Sequence, residues 1–305
     1  MSTVLQIYEA IDRLAPFSLS MDFDNTGILV GDRQKKVERT LLALDCTKEV
    51  LRQAKELGAQ LIITHHPIIF HPIKRVNEDS LVYHLLRSDI AVISAHTNLD
   101  IAQGGVNDLL AKRIGLSDCR GLQPMDAQGT FFLGRIGSLP EGMEPQQFAQ
   151  YLKQRLGAPS VKFAAADRTV KTVALCGGAG ADCLEDAIRV GADALLTSEV
   201  KQHEYLAAAA AGISIFDAGH FDTEDVVIEP LWEYLTKQFA DVEFFYHPSH
   251  RHPCGITSEQ RRKQMKEYLL PVGLILLGVA IFLLWRVLRR ANPWSRTPYE
   301  QQDAF

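Results

Sequence analysis

No Cys-x-x-Cys pair occurs in this 305-residue chain, and its five cysteines (Cys46, Cys119, Cys176, Cys183 and Cys254) are odd in number. That pattern gives no basis for a thiolate metal site or a disulfide framework, and reduced thiols in a cytosolic body are expected. A basic surplus is missing too: 32 Lys and Arg stand against 37 Asp and Glu, a net charge of −5. From Pro248 onward there are nine Lys and Arg against four Asp and Glu, so that stretch carries +5 and residues 1–247 carry −10. An acidic body is a poor match for a phosphate backbone, and no nucleic acid partner is expected. The N-terminus lacks the apolar core of an export signal. Instead, "MSTVLQIYEAIDRLAP" places Val4, Ile7, Ile11 and Leu14 at helical spacing and stops at Pro16. Finally, the Gly-rich "CGGAGAD" has neither the Lys-Ser/Thr of a P-loop nor the full dinucleotide fingerprint. Close backbone packing at a strand–turn–helix corner accounts for it, and a phosphate at that helix N-terminus is the alternative.

What is present is a repeated grammar of apolar strand, polar turn and helical pattern. "RTLLALDCT" runs into "KEVLRQAKELGA", "AQLIITHHP" follows, and "SLVYHLLRSD" leads into "IAVISAHTNLD". Later, "KTVALCGGAGAD", "DALLTSE" and "ISIFDAGHFDTE" each pass into a helical stretch. Short apolar runs alternating with helices predict an α/β fold with substantially parallel sheets. The expected architecture is two interlinked α/β lobes: lobe one at about 1–122 and 213–247, lobe two at about 123–212. Beyond this 1–247 body, 248–267 reads as a basic linker, 268–288 as a transmembrane anchor and 289–305 as a polar tail. The anchor rests on "YLLPVGLILLGVAIFLLW", eighteen uncharged residues bracketed by Arg and Lys, close to the roughly 20 needed to span a bilayer. The predicted localisation is therefore membrane, a single-pass C-terminal anchor with the body in the cytoplasm.

Open α/β sheets bind ligands beyond the carboxyl ends of their strands. In this chain those ends carry His65 and His66, His96 with Asp100, Glu199 with His203, and His220 with Glu224. The i, i+4 spacing of His220 and Glu224 puts both on one helix face. Asp100 follows "AVISA" by a polar turn; taken alone it would also serve as an N-cap for the helix that follows. Adjacent histidines diverge in an extended chain, and Pro67 restricts the residue before it, so His65 and His66 are able to serve neighbouring ions. If Glu224 bridges, each of two ions receives two private ligands and one shared one. Such a site keeps open positions, as catalytic metals require.

In sequence order, "DNTGILVG", "ITHHPIIF", "SAHTNLDIAQGGVND", "CGGAGAD", "TSEVKQHE" and "DAGHFDTE" resemble the GTP cyclohydrolase I type 2 homologue family, also described as NGG-interacting-factor-like dinuclear metal proteins. The resemblance covers nearly all of residues 1–247. It implies His65, His66, Asp100, His220 and Glu224 as ligands of two divalent ions, with zinc, iron or manganese all plausible. His66 and Asp100 would hold one ion, His65 and His220 the other, and Glu224 both. His96, Glu199 and His203 match polar cavity residues suited to supporting the ligands or to general acid/base work. Where the family usually has glycine, this chain has Ser198. The resemblance further implies a toroidal homohexamer and a metal-dependent hydrolase of a nucleotide-like substrate, the family name pointing to opening of the purine ring of GTP. A non-catalytic metal-binding scaffold or membrane-tethered regulatory adaptor is the alternative.

Overall fold

The computed structural model describes residues 1–246, all within one compact unit spanning Met1–His252. Its strands are β1 (Gly27–Val30), β2 (Arg39–Ala43), β3 (Leu61–Thr64), β4 (Ala91–Ser94), β5 (Ser117–Pro124), β6 (Phe132–Met143), β7 (Lys162–Ala164), β8 (Val170–Leu175), β9 (Ala194–Thr197), β10 (Ser214–Asp217) and β11 (Glu243–Tyr246). The helices are α1 (Val4–Leu14), α2 (Lys48–Leu57), α3 (Leu81–Arg87), α4 (Thr97–Ile101), α5 (Val106–Arg113), α6 (Pro145–Leu156), α7 (Leu184–Arg189), α8 (Gln202–Ala211), α9 (His220–Glu224) and α10 (Ile228–Gln238).

The strands form two sheets, in the orders β1-β4-β3-β2-β11 and β5-β6-β8-β9-β10-β7. The centre of each is parallel: β4, β3, β2 and β11 in the first, β8, β9 and β10 in the second. Antiparallel strands close the remaining edges, β1 on β4, β7 on β10, and the β5–β6 pair on β8. The α/β class read from the sequence is thus present, in mixed rather than wholly parallel sheets.

β3 explains why its sequence is an unbroken apolar run rather than an alternating one. Leu61 and Ile63 face a core built with α1 and α10, through Ile7, Leu231 and Leu235. Ile62 faces the opposite way, into a core with Val50, Leu51 and Ala54 of α2 and Val82 and Leu85 of α3. Strands covered on both faces read as continuous Leu/Ile/Val segments. The second sheet repeats this: Val173, Leu175 and Leu196 pack with Phe148 and Leu152 of α6, while Ala174 and Leu195 pack with Leu184 and Ala187 of α7. Helix ends follow local chemistry as well. Thr3 and Gln6 make a capping box at α1, Thr47 caps α2, and Gly58 and Gly157 close α2 and α6 in the left-handed region.

The expected transmembrane helix and membrane anchor are corrected. The longest described helix, α6, has twelve residues and is about 18 Å long at 1.5 Å per residue, against a hydrocarbon core of about 30 Å. Among the described residues no helix is long and apolar enough to cross a membrane, so neither that part of the fold class nor the single-pass localisation has support. The 268–288 segment from which they were read lies outside the described residues, as do the linker and the polar tail.

Ile62 is fully buried between β3 and its helices, so Ile62→Ala is expected to destabilise the protein by about 2–5 kcal/mol. The midpoint of urea unfolding checks this.

Candidate metal centre

The carboxyl ends of both sheets converge on one place. Parallel ladders continue past the strand ends, with His66 N donating to Leu44 O at 2.9 Å and Ala95 N to Thr64 O at 2.9 Å. These bonds fix the backbone from which Asp45, His65, His66 and His96 project. From the second sheet, Gly178 follows β8, Glu199 follows β9, and His220 opens α9 after β10. Among the described residues three donor groups result, each with ligand atoms within 4.8 Å of one another: His65, His66 and His96; His66, His220 and Glu224; and His65, Asp100 and Glu224. Each could hold a metal ion.

Glu224 is the hub. Its Oε2 lies 2.8 Å from His66 Nε2 and 2.9 Å from His220 Nε2, and its Oε1 lies 3.9 Å from His65 Nε2. His65 Nε2 is in turn 3.5 Å from Asp100 Oδ1. The nearest donors therefore pair His65 with Asp100, and His66 with His220 at 3.3 Å, a different division from the His66–Asp100 and His65–His220 sets expected above. All five expected ligands come together around one carboxylate.

The far side of each imidazole is held as well. His65 Nδ1 is 2.8 Å from Ala95 O, His66 Nδ1 2.8 Å from Asp45 Oδ1, His220 Nδ1 2.9 Å from Glu199 Oε1, and His96 Nδ1 2.9 Å from Asp24 Oδ1. Such partners select the tautomer that leaves Nε2 free for a metal. Glu199 reaches His220 from a left-handed backbone, φ 54°. Burial pushes the Asp24 carboxyl up, but hydrogen bonds from His96 and Thr97 outweigh it and hold it at about 2. His203 stands apart from the cluster. It is exposed on α8, its nearest carboxylate being Glu204 at 3.8 Å.

Asp45 and Asp24 were not singled out in the sequence. Asp45 had a usable signal, since it follows β2, the neighbour of β3, at the same sheet end as His65 and His66. Asp24 sits in the loop before β1 and reaches His96 across the fold, a pairing no local spacing announces.

The glycine loop is packing, not a phosphate cradle. Gly177 N donates to Asn107 Oδ1 at 2.9 Å, Gly178 N to Thr223 Oγ1 at 3.0 Å and Gly180 N to Thr197 Oγ1 at 2.9 Å. A Cβ on Gly178, at φ 63°, would lie 2.0 Å from Glu224 Oε1, so only glycine leaves the carboxylate its place. Ser198 fits beside it by donating its hydroxyl to Gly178 O at 2.6 Å. Buried Asn107 ties the two sheets together here, its Nδ2 donating to Asp100 O at 3.0 Å while its Oδ1 accepts from Gly177.

Two atoms test whether a cation fits. Among the described residues His65 Nε2 and Asp100 Oδ1, both buried, find no hydrogen-bond partner, an arrangement native proteins rarely leave unanswered. Both are lone-pair donors facing one space, and a divalent cation would satisfy them together. Asp100 sits within α4 and is not the N-cap of α5.

With this geometry in view, comparison with known proteins decides the family. Residues 2–253 match Duf34/NIF3 (NGG1p interacting factor 3). The chain belongs to this family. Duf34/NIF3 relatives include the GTP cyclohydrolase 1 type 2 homolog of Clostridium perfringens, 36% identical over 248 residues that span 78% of this chain and 93% of that protein. The homolog of the same name from Clostridium acetobutylicum is 33% identical over 227 residues, 72% of this chain and 85% of its own length. Among solved structures, a Bacillus cereus protein related to NIF3 superposes with a TM-score of 0.80 at 25% identity, covering 84% of this chain and 99% of its own.

Electrostatics sets the pH behaviour of the metal-free site. Burial disfavours the charged form of His66, but hydrogen bonds with Asp45 and Glu224 outweigh it and push its pKa up to about 10. His220 is likewise raised to about 9 against burial, by Glu224 and Glu199. Burial also opposes charge on Glu224, yet His220, His65 and His66 hold its carboxyl well below the usual range. Both raised imidazoles are therefore protonated at pH 7 in the metal-free protein, whereas a metal takes the neutral ring. Divalent-metal uptake is expected to release protons and to weaken as pH falls from 9 to 6, which calorimetric titration in buffers of different ionisation enthalpy checks. Gly178→Ala is expected to displace Glu224 and lower metal content per chain with the circular dichroism spectrum unchanged, as elemental analysis would read.

Proposed function

We propose that this chain is a dinuclear metal-dependent hydrolase acting on a nucleotide-like substrate, with His65, His66, Asp100, His220 and Glu224 as the ligands. What supports the reading above all is the division of Glu224: Oε2 faces His66 and His220, and Oε1 faces His65 beside Asp100. One carboxylate placed between two donor sets suits two neighbouring ions, each with three protein ligands and open positions. Imidazole mixed with carboxylate suits zinc, iron or manganese, and geometry alone does not select among them. When bound, divalent cations supply Lewis-acid polarisation and activation of water.

The remaining work falls to the chain's own groups. Asp45 and Glu199 hold the rings of His66 and His220 in register, each through Nδ1. His96 is the group placed to move a proton. Asp24 orients it through Nδ1, leaving Nε2 toward the cluster side, where its ring lies 5.2 Å from that of His65 and 5.6 Å from that of His66. A histidine held by a buried carboxylate and standing beside the reacting group is suited to general acid/base transfer. The relatives' name, GTP cyclohydrolase 1 type 2 homolog, makes GTP the first substrate to try, while a fold or family does not fix a substrate.

Metal-reconstituted protein is expected to hold about two ions per chain and to hydrolyse GTP or a related nucleotide. His66→Ala and Glu224→Ala should each lose metal and reduce turnover on the order of a hundredfold or more. Elemental analysis and product chromatography on the same samples measure both. Full turnover in metal-free protein would refute the proposal.

A further inference from the structure

Two phenyl rings stand in water beside the histidine cluster. Phe23 is 63% exposed and Phe70 40%, with ring centroids 6.4 Å apart and planes tilted by 54°. A phenyl ring left on the surface forgoes the free energy its burial would contribute, and these two are moreover held in place. Asn25, two residues after Phe23, donates its amide to Ile69 O at 2.5 Å, next to Phe70. Asp24, adjacent to Phe23, accepts from Thr97 N at 3.1 Å and pairs with His96 Nδ1 at 2.9 Å. Met21 N donates to Thr97 Oγ1 at 3.0 Å. The two loops are thus tied to each other and to the end of β4 that carries His96.

The rings are also continuous with the candidate centre. Phe70 meets His96 edge to face at 6.3 Å, and His96 in turn lies 5.2 Å from His65. An aromatic face fixed next to polar, metal-suited groups favours a ligand with a flat π-system joined to a reactive polar part. Planar rings gain from stacking with little dependence on which heterocycle they are.

We propose that Phe23 and Phe70 form a stacking platform for a planar heteroaromatic ring of the substrate, such as a nucleobase, and hold it beside the histidine cluster. The proposal rests on the functional reading above for the statement that the ligand is a substrate. The two rings carry affinity for the base and none for the sugar phosphate, and they distinguish flat heterocycles from aliphatic ligands more than one base from another.

The test is equilibrium binding of GMP, AMP and ribose 5-phosphate to the metal-loaded full chain, with metal content and oligomeric mass recorded on the same samples. The Phe23→Leu/Phe70→Leu variant keeps apolar bulk and removes both π-faces. It is expected to weaken GMP and AMP on the order of tenfold, leaving ribose 5-phosphate binding and metal content as in the wild type. Phe70→Tyr should retain wild-type affinity. If the double variant fails to fold, Phe70→Leu alone carries the same comparison. Unchanged nucleotide affinity in the variants overturns the platform, as does parallel loss of ribose 5-phosphate binding, or absence of nucleotide binding by the wild type. A fall in oligomeric mass with nucleotide affinity unchanged also overturns it and assigns the rings to contact with a second copy. Turnover is read separately. Phe-dependent binding without hydrolysis contradicts the hydrolase and keeps the platform, whereas hydrolysis with Phe-independent binding does the reverse.

Discussion

The buried carboxylate of Glu224, set among His65, His66 and His220, is the interaction on which the rest depends. A charged group so enclosed is tolerable only with opposite charge or cations around it. Its neighbours come from both sheets: the adjacent histidines from the end of β3, and His220 from α9 after β10. Each sheet alone would leave a polar strand end without partners. Joined at Glu224, they enclose one polar space between two apolar frameworks.

That space is rigid by construction. Asn107 links Asp100 to Gly177, Thr223 accepts from Gly178, and Ser198 donates to Gly178 O. Asp108 and Arg135 brace the same region from behind: Arg135 is buried, pairs with Asp108, and donates to Ala102 O at 3.3 Å, two residues after Asp100. Buried hydrogen bonds of this kind hold the surrounding backbone in a single arrangement. The positions of these donor groups are therefore set by backbone ladders, glycine clearance and the carboxylates that hold the ring Nδ1 atoms.

Much of this was legible before any coordinates. The unbroken apolar run of "LIIT" marked a strand covered on both faces, and its abrupt end at His65 and His66 marked a site. The i, i+4 pair of His220 and Glu224 lies on one short helix as its spacing requires. What was not legible depends on proximity across the fold. Asp24 reaches His96 over 72 residues, and His203, four residues after Glu199, faces solvent because α8 turns it outward. The apolar run at 268–288, from which the anchor was read, lies outside the described residues, none of whose helices is long and apolar enough to cross a membrane. Which oxygen of Glu224 faces which ring is likewise a matter of the fold and not of local spacing.

Anomalous diffraction from crystals soaked with a divalent metal, recorded at that metal's absorption edge, tests the central claim most directly. The account predicts two peaks flanking Glu224, one between His66 and His220 and the other between His65 and Asp100. A single peak away from Glu224, or none at a metal concentration that saturates binding in solution, would contradict it.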